Sequence, residues 1–131
     1  MKKTLIIAAL IFALPLVVYG VLSGRQTPVS ETIIASAGMP RLIKFSSPMC
    51  SDCQTLAKII DEVDDDYEGR VDFVEISVNN DSKEVREQIK KYNVTLVPTT
   101  IFLNSKGEQI ARIEGSMPKE QLIEYLELGL K

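Results

Sequence analysis

Leu42-Ile43-Lys44-Phe45-Ser46-Ser47-Pro48-Met49-Cys50-Ser51-Asp52-Cys53 is the stretch on which the rest of the chain is read. A strand-like apolar run ends in a proline-containing turn, and a helix-like segment begins at the only two cysteines of the 131 residues. A helix N-terminus presents unpaired N–H groups and a partial positive charge, both of which favour a thiolate. Two cysteines three positions apart there are placed to close a disulfide within one turn. A purely structural staple of that size stabilises little, about 2 kcal/mol before strain in the chain-entropy picture. The local reading therefore favours redox chemistry over a staple.

Outward from this junction, the segment from about Cys50 to Asp66 is expected to be helical, with Leu56, Ile59, Ile60 and Val63 on one face. Val71 to Val78 alternates as a strand, Ser82 caps a helix running to Tyr92, and Thr99 to Leu103 is a strand. Asn104-Ser105-Lys106-Gly107 turns the chain into a returning strand, Gln109 to Glu114. Pro118 opens a last helix to about Leu130, with Leu122, Ile123, Leu126 and Leu130 inward. The order β-α-β-α-β-β-α implies an α/β fold: a mixed sheet, part parallel and part antiparallel, with helices on both faces.

The N-terminal 25 residues read differently. Lys2 and Lys3 precede an apolar run from Leu5 to Leu22, 18 residues without a charge. As a helix it would reach roughly 27 Å, close to the thickness of a bilayer core. Residues 1–25 are therefore expected to be a signal anchor or transmembrane segment, with a cleaved secretory signal as the alternative. Either places residues 26–131 as a domain on the far side of the membrane, in a compartment that permits disulfides. A linker and a short helix, Glu31 to Ala37, are expected before the first strand.

Composition narrows the function. The chain has no histidine, which excludes histidine metal sites and Cys–His catalytic pairs. Its net charge is −3, from 15 basic and 18 acidic side chains. Three of the basic residues (Lys2, Lys3, Arg25) lie in the first 25, so the remainder is more acidic still and is a poor nucleic-acid binder. No metal and no cofactor is expected beyond a Cys50–Cys53 disulfide. The acidic run from Asp61 to Glu68 reads as a solvated helix end.

Taken in order, Phe45, Cys50, Cys53, Val97-Pro98-Thr99, Lys106-Gly107-Glu108 and Gly115 make residues 28 to 130 resemble the thioredoxin-fold thiol–disulfide oxidoreductases. The resemblance implies a three-layer sandwich. It implies that Cys50 is the exposed nucleophile, Cys53 the buried resolving thiol, and Pro98 a cis proline beside the disulfide. Val97 would then pair its backbone with substrate, with Thr99 following. The family's tryptophan before the motif is replaced by Met49. Its Gly-Pro between the cysteines is replaced by Ser51-Asp52, and its helix-kinking proline by Lys58. The family's aspartate under the active site and its lysine on the next strand match Lys44 and Glu75 here, with the signs exchanged. That exchange suggests a buried Lys44–Glu75 pair in which Glu75 relays the proton of Cys53.

The resulting expectation is a monomeric, membrane-tethered, extracytoplasmic reductase of protein disulfides. It would be fed by a separate electron donor and held to the membrane by residues 5–22. The alternatives are a disulfide oxidase or isomerase, and a redox-inert or metal-binding adaptor of the same fold.

Overall fold

A computed structural model describes residues 38–131. The apolar segment 5–22, the linker and the short helix expected at Glu31 to Ala37 lie outside the described residues. The elements are β1 (Arg41–Ser46), α1 (Ser51–Asp61), a 3-10 turn (Asp64–Tyr67), β2 (Asp72–Ser77), α2 (Lys83–Lys91), β3 (Thr99–Leu103), β4 (Gln109–Glu114) and α3 (Lys119–Gly129). The four strands form one sheet in the order β2-β1-β3-β4. β1 runs parallel to β2 and antiparallel to β3, and β3 pairs antiparallel with β4. This is the mixed α/β sheet implied by a crossover helix followed by a hairpin.

Strand alternation sends successive side chains to opposite faces. Leu42 and Phe102 pack on one side with Leu56 and Ile60 of α1 and Leu122 and Leu126 of α3. Ile43, Phe45, Val74, Ile76, Ile101 and Leu103 pack on the other side with Val85 of α2. β1 and β3 are buried along nearly their whole length because both of their faces are covered.

Two sequence signals act locally as anticipated. Ser82 caps α2, its Oγ accepting from Val85 N at 3.3 Å. Asn104 Oδ1 accepts from both Lys106 N and Glu108 N at 3.0 Å, and Gly107 takes a φ of +79°. Only a residue without a Cβ adopts that conformation at no cost, which fixes the β3–β4 turn at this sequence.

The helix expected from Cys50 to Asp66 is shorter. α1 stops at Asp61, and the chain resumes as the 3-10 turn after Val63 N bonds Ile60 O at 2.8 Å. A run of carboxylates at a helix C-terminus opposes the dipole. Asp64 Oδ1 also accepts from Asp65 N, a local bond that competes with the helical ladder. Pro118 is the N-cap of α3, one position before its first turn.

Tyr67, at the end of the 3-10 turn, is buried and donates to Glu127 Oε1 of α3 at 2.7 Å. Burial, then the bond to the Glu127 carboxylate and its charge, pushes the phenol above its ordinary value near 10. The folded state thus holds this proton longer than the unfolded chain does. The stability it contributes is fully present below about pH 10 and is lost as pH rises through the higher folded value. Tyr67→Phe should therefore be less stable than wild type at neutral pH, and the gap should narrow above about pH 10. Urea midpoints measured from pH 7 to 11 test this, and a gap constant across the range would refute it.

Candidate active site

Cys50 sits at the N-cap of α1 with extended backbone (φ −98°, ψ 115°). Its Sγ accepts from Cys53 N at 3.1 Å, taking the part that a serine or aspartate oxygen plays at other helix starts. Negative charge on this sulfur would meet an oriented N–H and the positive end of α1. The turn before it is closed by Cys50 N on Ser47 O at 3.2 Å and by Gln54 Nε2 on Pro48 O at 3.1 Å. Cys50 and Cys53 form a disulfide with their Cα atoms 5.2 Å apart.

The two sulfurs differ in access. Cys53 is 3% exposed and faces the sheet with Leu56 and Ile60. Cys50 is partly exposed, beside Pro48 and Met49, both at the surface. Met49 is 91% exposed and Leu96, two residues before the cis proline, is 45% exposed. Ser51 and Asp52 point outward from the first turn.

The loop after α2 brings Val97-Pro98-Thr99 to the cysteines. The Val97–Pro98 peptide bond is cis, and Val97 O lies 3.8 Å from Cys50 Sγ. Pro98 is buried, and fully buried Thr99 donates through Oγ1 to Leu96 O at 2.8 Å. Pro98 O accepts from Gly115 N at 2.8 Å, so the residue that follows β4 holds the far end of this loop.

Lys44 and Glu75 are opposite one another in the parallel β1–β2 register. Lys44 Nζ lies 3.1 Å from Glu75 Oε1, and Ser46 Oγ donates to the same oxygen at 2.5 Å. The pair is buried at one end only. The Lys44 side chain is 5% exposed and that of Glu75 58%, because β2 is an edge strand among the described residues. A buried cation is tolerated where a partner and hydrogen bonds compensate its lost hydration. A cleft of about 170 Å³, lined among others by Lys44, Ile60, Asp61, Phe73 and Glu75, runs beside the pair. Thr100, opposite Lys44 on β3, is fully buried, and its Oγ1 has no hydrogen-bond partner.

Sequence reasoning did not single out Ser46, which ties Glu75 to the turn leading into Cys50, nor Arg112, which binds the backbone at the end of α2. Ser46 is found only once the strand register is known. No group of three or more histidine, cysteine or acidic side chains among the described residues is arranged to hold a metal ion.

Disulfide, N-capping sulfur and facing cis proline on a mixed sheet define a thioredoxin-fold thiol–disulfide oxidoreductase. The chain belongs to the thioredoxin-like domain family, whose pattern matches residues 29–130. It is 28% identical over 103 residues to the chloroplastic thioredoxin-like protein HCF164 of rice, covering 79% of this chain and 38% of that protein. It is 28% identical over 139 residues to the thiol:disulfide interchange protein TxlA of Synechococcus elongatus, covering 97% of this chain and 70% of that one. It is 30% identical over 90 residues to a thioredoxin of Staphylococcus aureus, covering 69% of this chain and 82% of that one. The chain thus spans well under half of the rice protein and most of the two bacterial ones.

The unequal burial of the sulfurs has a direct readout. After reduction, a limiting amount of iodoacetamide should modify Cys50 in large excess over Cys53, as read by peptide mass spectrometry. Equal labelling would contradict the placement of Cys53.

Proposed function

We propose that this protein reduces disulfides in other proteins on the far side of a membrane, with its domain tethered there by residues 5–22. The observation that carries the exchange chemistry is Cys50, partly exposed at the head of α1 with Cys53 buried behind it. The similarity to thioredoxins supports the reductase direction. The Cys50 thiolate attacks one sulfur of a substrate disulfide, and the other substrate sulfur leaves as a thiolate. Cys53 then gives up its proton and attacks Cys50 Sγ. The second substrate sulfur leaves, and the Cys50–Cys53 disulfide forms. Two electrons pass to the substrate, so a dithiol donor must restore the reduced pair after each turn.

Glu75 is the group we assign to receive the Cys53 proton. Its carboxylate is fixed by Lys44 and Ser46 on the face of the sheet that α1 covers, and its exposed side can release the proton to water. Glu75→Gln keeps the size and the hydrogen bonding of the side chain but cannot take a proton at neutral pH. It should slow resolution of the mixed disulfide severalfold while leaving its formation nearly unchanged, in a stopped-flow assay with an excess of reduced protein. Equal effects on both steps would remove Glu75 from this role.

The tether and the location rest on the charge-free apolar run behind Lys2 and Lys3. Among the described residues no helix is long and apolar enough to cross a membrane. One observation favours a second reading, oxidase or isomerase. A buried cation, Lys44, on the face shared with Cys53 favours thiolates, and so makes the disulfide form more oxidising. The reduction potential of the pair, measured on the full chain in dithiothreitol or glutathione buffers, decides between them. A value near about −270 mV is expected; one between about −120 and −180 mV would replace the reductase reading with the second.

A further inference from the structure

The chain leaves α2 by a Schellman turn. Asn93 takes φ +48°, Asn93 N bonds Lys90 O at 3.2 Å, and Val94 N bonds Ile89 O at 2.9 Å. That motif satisfies the carbonyls of Ile89 and Lys90. Two of the carbonyls beyond these, Tyr92 O and Asn93 O, are taken by one side chain from another element. Arg112 of β4 donates from Nη1 to Tyr92 O at 2.5 Å and from Nη2 to Asn93 O at 3.2 Å. Its guanidinium is itself fixed, with Nε and Nη2 donating to Glu114 Oε1 at 2.9 and 2.6 Å. Arg112 projects from the same sheet face as Ile101, its partner on β3, which is the face that α2 covers.

These bonds lie at the start of the segment Asn93–Pro98. Gly115, the residue after Glu114, holds the other end through Pro98 O. Arg112 of β4 and Gly115 just beyond it thus grip both ends of the segment that carries Val97 O to 3.8 Å from Cys50 Sγ. A substrate joined to Cys50 by a mixed disulfide must run alongside the Val97 peptide, because that is the main-chain group beside the reacting sulfur. An extended substrate would meet Val97 through its backbone, and that alignment is only as good as the placement of the loop.

We propose that Arg112, locked by Glu114, is a positioning residue: by fixing the carbonyls at the end of α2 it sets the Val97 backbone for an extended protein substrate, and has no part in the sulfur chemistry. This rests on the oxidoreductase reading and deepens it. A guanidinium suits the task because its planar fork reaches two carbonyls and a carboxylate at once, which a lysine ammonium cannot do with the same geometry.

The test compares two substrates on the full chain: insulin, whose disulfides lie in a polypeptide, and 5,5′-dithiobis(2-nitrobenzoate), which has no backbone to align. Arg112→Ala should lower kcat/KM for insulin about tenfold, mainly through KM, the equivalent of about one hydrogen bond. Reaction with the small disulfide and the potential of the Cys50–Cys53 pair should be unchanged. Arg112→Lys should recover only part of the loss, and Glu114→Gln should show a smaller loss of the same kind. Equal losses on both substrates, a shifted potential, or no loss with insulin would each overturn the proposal. Should Arg112→Ala fail to fold, the same comparison on Glu114→Gln decides. A wild-type protein inert toward both substrates would instead sink the oxidoreductase reading, independently of Arg112.

Discussion

The reactive end of the molecule depends on one contact, the acceptance of the Cys53 N–H by Cys50 Sγ at the head of α1. It makes a sulfur the capping atom of a helix, so the group that begins the secondary structure is also the one proposed to react. Its partner three residues on is carried to the buried face by the helical repeat alone. The helix then needs a covered sheet beneath it, which β1 and β3 supply with side chains nearly all buried. The remaining elements follow: α3 shares the face that α1 occupies, and α2 closes the other.

The polar row under α1 is the part of the design where charge matters most. Lys44 is enclosed and Glu75 opens to water, so the cation is the member that depends on the pairing. Removing the glutamate's charge leaves a lysine in a nearly dry site, whereas removing the lysine leaves a carboxylate that water can still solvate. The Ser46 hydroxyl adds a second bond to the same carboxylate oxygen, so the orientation of Glu75 is tied to the residue that ends β1. Thr100 stands in the same row, fully buried opposite Lys44.

Much of this was legible in the sequence because it is local. Thr99–Leu103 and Gln109–Glu114 announce themselves by composition and by the Asn104 to Gly107 turn between them, and Ser82 and Cys50 stand where a helix needs a side-chain acceptor. The motif cysteines and Pro98 carry the family likeness, and the structure brings Val97 and Cys50 together. The end of α1 was less legible, because helical periodicity continues to Val63 while charge repulsion and an aspartate–backbone bond stop the helix earlier. Which member of the Lys44–Glu75 pair is enclosed depends on sheet order, since β1 is interior and β2 lies at an edge among the described residues. Arg112 is hidden for a similar reason. A strand arginine twenty positions from a helix end gains meaning only when the sheet lays one beside the other.

The sheet also acts as a partition. The buried Cys53 and the Lys44–Glu75 pair lie on the side of α1, whereas Arg112 and the end of α2 lie on the other. Substitutions on the two sides share few partners, so their energetic effects should combine close to additively. On the roles proposed above, substrate alignment and sulfur chemistry can then be changed separately. The two are kept apart by a single layer of backbone.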